Sequence, residues 1–389
     1  MWQLFLHLSD GYLLAMAVWL VFLCLFPVML IRWRRKYAAL ESRRKLIYAG
    51  LSAWLCFGML TLPELGFALF YDTTDSFDMT NVSRRWFEVH VEPDVRVLEF
   101  GNETGIQYRS ASDIALNPSG GVRHICFLGD SFTFGHGVAD VADRFSDRVA
   151  KKLKASEPSS FEVSNLAWPG TDLLWAEAVL KNSFAVDGRI DDAVYVLCLN
   201  DIEAFDDPTM SKSSSLSHFE PPGFLFRDTY FFNWLYFRTQ SVFQPQTRSY
   251  YSFVKDYYQG DPWLRFREAL ARTSAMCRDH DCRFRVVIFP FLHNLGPDYP
   301  FREIHRQVKA DCEKLRIDCF DLDPALSLHA DERLTVNPFD AHPNERAHEI
   351  AAEALVDWLT DFRVRTVSPD SGDADSGEAS ESLERPSDD

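Results

Sequence analysis

Four short stretches of this sequence carry the residue types that a single catalytic centre would need. They are Gly129-Asp130-Ser131-Phe132-Thr133-Phe134-Gly135, Trp168-Pro169-Gly170-Thr171, Asn200-Asp201 and Asp340-Ala341-His342-Pro343-Asn344. A serine hydroxyl is a weak nucleophile at its free pKa. It needs a histidine to take its proton, a carboxylate to hold that histidine, and N–H donors for the developing oxyanion. Each requirement has a candidate in this set, with Ser131 as the nucleophile candidate. Taken alone, a serine in such a turn is more often a helix cap than a nucleophile, and a phosphate-holding loop of flavodoxin type is a further reading. A phosphate loop needs no asparagine amide or histidine at the other strand ends, whereas a serine esterase needs both.

The elements that would position these residues follow from periodicity. Ile125–Leu128 is an apolar run of strand character that stops at Gly129. A helix is expected from about Asp140 to Leu153, with Val141, Phe145, Val149 and Leu153 on its core face. Further strands are expected at 161–167, 193–199, 284–290 and 318–322, with a helix at about 172–182, others of about 15 residues between later strands, and a last one after Asn344. Strands alternating with helices imply a mostly parallel sheet with right-handed crossovers. Residues beyond the carboxyl ends of such strands line the ligand crevice. From about 203 to 262 an insertion rich in Phe, Tyr and Trp leaves a strand end. It reads either as a helical excursion with its own aromatic core or as a lid whose rings stack on sugar or rest at a membrane surface.

The remaining chain divides by composition. From Gly11 to Ile31 there is no charged residue, and a second apolar stretch covers about 46–70. About 20 residues cross a hydrocarbon core of about 30 Å, so both are expected to be transmembrane helices within residues 1–71. Arg32, Arg34, Arg35, Lys36, Arg43, Arg44 and Lys45 lie between them, which assigns that loop to the cytoplasm and everything after about Tyr71 to the extracytoplasmic side, periplasmic in a Gram-negative cell. Residues 72–122 read as a stalk and lead-in, 123–365 as the α/β domain, and 366–389 as a disordered acidic tail. The chain carries a net charge of −17; residues 1–71 contribute +4 and the rest −21, which leaves no footprint for nucleic acid. None of the eight cysteines has paired CxxC spacing, so no structural metal is expected, and no cofactor. Cys24, Cys56, Cys126 and Cys198 fall in apolar segments, while Cys277, Cys282, Cys312 and Cys319 allow one or two disulfides outside the cytoplasm.

Over residues 123 to about 362 the four stretches, in this order, resemble the blocks of the SGNH or GDSL hydrolase superfamily. The resemblance implies a flavodoxin-like three-layer α/β/α fold with a mostly parallel five-stranded sheet, preceded here by the two transmembrane helices. It implies Ser131 as nucleophile, His342 as general base, and an oxyanion hole from the N–H groups of Ser131 and Gly170 and the amide of Asn200. Two positions depart from the pattern. The acid commonly stands three residues before the histidine, where this chain has Phe339; Asp340 stands two before and is taken as the acid, an arrangement similar to that of membrane-associated polysaccharide O-acetylation proteins. The third block usually has a glycine where this chain has Cys198. The activity expected is that of a membrane-anchored serine esterase acting on an O-acyl ester of a cell-envelope glycan or lipid through an acyl-Ser131 intermediate. Transfer of an acetyl group to a polysaccharide by the same site is an alternative, within envelope polysaccharide machinery. A non-catalytic glycan-binding or assembly module is another, and a flavodoxin-like cofactor protein a third. His136 and His293 read as loop and crevice-edge residues without a catalytic role.

Overall fold

In chain order the elements begin with α1 (Trp2–Leu6), α2 (Asp10–Tyr37), α3 (Glu41–Phe70) and α4 (Asn81–His90), followed by a hairpin of β1 (Val95–Phe100) and β2 (Glu103–Arg109). The α/β body consists of β3 (Arg123–Gly129), α5 (Ser131–Phe134), α6 (Phe145–Ser156), β4 (Phe161–Asn165), α7 (Leu173–Ala185) and β5 (Asp192–Cys198). The insertion follows as α8 (Gly223–Arg227), α9 (Phe231–Phe243) and α10 (Pro245–Tyr257). The body then resumes with α11 (Asp261–Asp279), β6 (Arg283–Phe289), α12 (Arg302–Lys314), β7 (Asp318–Asp321) and α13 (Asp323–Ser327), and ends with β8 (Thr335–Asn337), β9 (Asp340–Pro343) and α14 (Glu345–Thr360). This computed structural model describes residues 2–37, 41–76, 79–101, 103–118, 120–206, 220–243 and 245–360. The acidic tail expected at 366–389 and the serine run of the insertion lie outside the described residues.

Five strands form one parallel sheet in the order β4-β3-β5-β6-β7. The chain leaves β3 for one edge and returns past it to β5, so the topological switch lies between β3 and β5, where a crevice opens beyond the strand ends. Ser131 follows β3 and Asn200 follows β5, so the two flank that switch. Ile125, Cys126, Phe127 and Leu128 of β3 and all of β5 are buried, as expected of strands covered on both faces. Right-handed crossovers put α6 on one face and α7 and α11 on the other. The core therefore sits on both sides of the strands whose ends carry the polar residues.

Three local differences from the sequence expectation have physical causes. The helix expected from Asp140 begins only at Phe145, because Gly135 and Gly137 take left-handed φ of 81° and the chain makes a short 3₁₀ turn at Val141–Asp143 first. Val141, Phe145, Val149 and Leu153 are nonetheless all buried. Residues 72–122 hold α4 and the β1–β2 hairpin. Helix α4 is nucleated by Thr80, whose Oγ1 accepts from Ser83 N at 3.1 Å, while the Asp75 carboxylate accepts from Thr80 N and Thr80 Oγ1. The β8–β9 hairpin, which carries Asp340 and His342, has no counterpart in the periodicity.

Helices α2 and α3 form an antiparallel pair, tied by Trp19 Nε1 donating to Thr61 Oγ1 at 2.8 Å and Trp54 Nε1 to the Leu23 carbonyl at 2.8 Å. Each is long and apolar enough to cross a membrane, and only 6% and 11% of their most apolar windows are buried, which separates them from core helices of a water-soluble domain. Two charged side chains join the pair to the α/β body. The Glu64 carboxylate accepts from Tyr230 N and Phe231 N at 2.8 and 2.9 Å, capping α9. Arg85 of α4 donates to the Phe67 and Ala68 carbonyls in the last turn of α3 and to the Tyr71 carbonyl just past its end, and its guanidinium lies 4.3 Å from the Tyr230 ring centre. All eight cysteines are free; Cys277 with Cys282 and Cys312 with Cys319 share thiol hydrogen bonds where α11 meets β6 and α12 meets β7.

Candidate active site

Ser131 is delivered by a turn that only glycine at 129 permits. Gly129 has φ 154°, and a Cβ there would lie 2.5 Å from Thr133 Oγ1 and 2.7 Å from the Val196 carbonyl oxygen. Asp130 then caps α5 by accepting from Phe132 N at 2.9 Å, which leaves Ser131 in the first helical position. Its Oγ lies 2.8 Å from His342 Nε2, and His342 Nδ1 lies 2.6 Å from Asp340 Oδ1. The three residues brought together come from β3's end and from β9. Their juxtaposition explains the two-residue spacing of acid and base. In a strand, residues i and i+2 share a face, so Asp340 and His342 of β9 point the same way, while Phe339, the position the family pattern prescribes, is 43% exposed.

The lead-in segment supplies the rest of the acid's surroundings. Thr74 Oγ1 donates to Asp340 Oδ2, and His136 Nε2 lies 3.5 Å from the same oxygen. Oδ1 accepts from His342 N at 3.1 Å and from Ser76 Oγ at 3.5 Å, besides the ring nitrogen. Ser76 Oγ in turn accepts from Ala341 N at 3.0 Å, and Asn337 Nδ2 donates to Thr73 Oγ1 and to the Thr74 carbonyl. The His136 ring lies 4.1 Å from that of His342, tilted by 37°, and its Nε2 donates to the Asp75 carbonyl at 3.1 Å, which fixes a proton on that nitrogen. Burial alone would raise the Asp340 carboxyl, but the charge of His342 and the hydrogen bonds of both histidines outweigh it and hold the group well below the usual carboxylate range. Although ligand atoms of His136, Asp340 and His342 lie within 4.8 Å of one another, each is engaged in the bonds above.

On the other side of Ser131 lies a second pair of buried carboxyls. Asp130 Oδ2 is 3.5 Å from Ser131 Oγ, and burial pushes its pKa up to about 6. Asp201, whose Oδ2 accepts from Tyr195 Oη at 2.5 Å and from Cys198 N at 3.3 Å, is raised well above its ordinary value by burial and by the charge of Asp130. Asn200 is the second residue of the 3₁₀ segment Leu199–Phe205 that follows β5 directly, and its side-chain oxygen is buried without a hydrogen-bond partner among the described residues. Gly170 sits at φ 75° in a turn tied to β3 by Thr171 Oγ1, which donates to the Gly129 carbonyl at 2.8 Å. Sequence reasoning missed Thr74, Ser76 and His136. His293 is exposed beside Tyr251 and takes no part in the Ser131–His342–Asp340 chain.

No family model and no curated protein sequence matches the chain. Solved structures do. TesA is 15% identical, aligned over 61% of this chain and 98% of its own with a TM-score of 0.39. An acetyl xylan esterase from Geobacillus stearothermophilus is 14% identical over 63% and 97%, TM-score 0.39. A member of the lipolytic G-D-S-L family from Veillonella parvula is 16% identical over 62% and 100%, TM-score 0.37.

Proposed function

We propose that this chain is a serine esterase of the SGNH/GDSL type, anchored by α2 and α3 and acting outside the cytoplasmic membrane on an O-acyl ester of an envelope glycan or lipid. One observation carries the reading: the continuous chain Ser131 Oγ to His342 Nε2 at 2.8 Å and His342 Nδ1 to Asp340 Oδ1 at 2.6 Å, at the topological switch of the sheet. Ser131 Oγ attacks the ester carbonyl and its proton passes to Nε2. Asp340 stays ionised, holds the ring by Nδ1 and stabilises the imidazolium. Oxyanion charge falls to the N–H groups of Ser131 and Gly170 and to the Asn200 amide. The imidazolium then protonates the departing alcohol, and water, activated by the same nitrogen, releases the acid from Ser131. An acceptor hydroxyl in place of that water gives transfer from the same acyl-enzyme.

The test is labelling of the full-length protein with a fluorophosphonate, beside Ser131→Ala and His342→Ala. The expected result is a single adduct at Ser131, absent in Ser131→Ala and slowed at least 100-fold in His342→Ala. A parent protein that takes no label at Ser131 sinks the esterase reading. Protease added to spheroplasts is expected to digest residues 72–360, and protection there would reverse the orientation.

A further inference from the structure

Helices α2 and α3 give a measure of depth beside the site. Lys45 and the arginines before it mark the inner end of α3, and about 20 residues at about 1.5 Å each cross the hydrocarbon core. Counted from Leu46, the outer edge of that core falls between Glu64 and Ala68. Counted outward from Ile31, α2 reaches the same level at Tyr12, which is buried in one cluster with Ala68 and Tyr230. The last turn of α3 therefore lies in the headgroup layer, about 5–7 Å deep.

An aromatic track runs from that turn to the catalytic hairpin. Ring centres of Phe67 lie 5.2 Å from both Phe231 and Trp234, and Trp234 lies 5.5 Å from Phe339, the residue before Asp340. The Arg238 guanidinium covers Phe339 at 4.5 Å. Phe70, Phe224, Leu225, Leu235 and Phe339 expose 38–62% of their surface. Tryptophan, tyrosine and arginine side chains beside exposed aliphatic ones suit the membrane–water boundary. Six residues separate Ala68 from Thr74, and about 3.3 Å per residue places the acid's hydroxyl donor no more than about 20 Å from the hydrocarbon edge.

We propose that this track is an interfacial seat covered by the headgroup layer of the bilayer, and that the ester attacked by Ser131 is carried on a membrane-anchored lipid. The proposal rests on Ser131 as nucleophile and narrows its substrate class. The acyl carbon bonds to Ser131 Oγ, the headgroup alcohol departs with the proton held on His342, and water regenerates the serine. A soluble glycan chain requires no apolar rim continuous with a span; a lipid-borne ester is brought to the site by it.

The experiment uses the full-length protein in vesicles of phosphatidylethanolamine and phosphatidylglycerol. Two acetyl esters are compared: 4-methylumbelliferyl acetate in the water, and a mono-O-acetylated dodecyl glucoside held in the same vesicles. The ratio of kcat/KM for the glycolipid to that for the soluble ester is expected to fall about tenfold in Phe339→Ser and in the double variant Phe224→Ser, Leu225→Ser. Benzoylphenylalanine placed at Leu225 is expected to cross-link to phospholipid, as it does at Leu55 within α3, but not at Lys154 on the far end of α6. An unchanged ratio, no lipid adduct at Leu225, or a parent that prefers a soluble acetylated oligosaccharide to the glycolipid overturns the seat. In those cases continued turnover of the soluble ester leaves the esterase reading standing. A parent inert to both esters and unlabelled at Ser131 overturns that reading instead, while the cross-link still reports on the seat.

Discussion

Two buried carboxyls flank the Ser131–His342 pair, and their environments drive them in opposite directions. Asp340, in the region built from β9 and the lead-in segment, accepts from His342, Thr74 and Ser76 and lies beside His136; it is held well below the usual range. Asp130, in the region built from the ends of β3 and β5, accepts from one backbone N–H at 2.9 Å, has Ser131 Oγ 3.5 Å away, and is pushed up to about 6 by burial; its own charge in turn helps to raise the neighbouring Asp201. Both side chains are 1–2% exposed, so burial is not the difference. The number and charge of the donors is. A carboxyl with a full set of donors is fixed as an anion that orients a histidine; one short of donors, facing another acid, keeps its proton through mildly acidic pH.

Breaking the donor-rich side has the largest expected effect. Asp340→Asn leaves a side chain of the same shape that no longer stabilises an imidazolium or enforces the Nδ1–H tautomer. A loss of about 10³–10⁴ in kcat is expected, read by steady-state kinetics with the circular dichroism spectrum unchanged. Retention of more than a tenth of the activity would remove Asp340 from the mechanism.

The donor-poor side is expected to respond in stability. The folded Asp130 holds its proton up to about 6, while the unfolded residue releases it near 3.8, so its contribution is present below that lower value and lost as pH rises towards 6. Asp130→Asn, whose amide oxygen still accepts from Phe132 N, escapes this loss. Its gain over the parent should grow between pH 4 and 6 to as much as about 3 kcal/mol at pH 7, measured by denaturant unfolding. A gain independent of pH would show that the carboxyl is not held in its neutral form.

Smaller still is the effect of removing one donor from Asp340. Thr74→Val should lower kcat about tenfold, and Thr74→Ser, which keeps the hydroxyl, should restore it. Full activity in Thr74→Val would show that the hydroxyl's hydrogen bond to Asp340 does not support the reaction.

The central strands were legible because Ile125–Leu128, Ala193–Leu199 and Val286–Phe289 are continuous apolar runs, the first two stopping at Gly129 and Asn200, and Ser131 lies two positions past the first stop. The support for Asp340 was not. Thr74 and Ser76 are common residue types more than 260 positions away from the acid, in a stretch without periodicity, and no local pattern links them to it. His136 left a fainter trace. It stands between two glycines, and a Cβ at Gly137 would collide with Val336 of β8 and come within 3.2 Å of Thr74 Oγ1. A histidine framed by two glycines directly after a serine block thus marks a close backbone approach. The late start of α6 follows from the same two glycines.

The 266 positions between Thr74 and Asp340 also set an order in time. As the chain is synthesised, Ser131, the Gly170 turn, Asn200 and the hydroxyl of Thr74 are all present well before residue 335 emerges. Up to that point Ser131 has neither His342 nor Asp340 beside it. Its central sheet can form, yet the His342 ring whose Nε2 lies 2.8 Å from Ser131 Oγ in the finished fold is missing. Only the short hairpin near the end of the chain brings His342 and Asp340 to Ser131, so a copy truncated before residue 335 lacks the whole hydrogen-bonded chain from the serine to the acid.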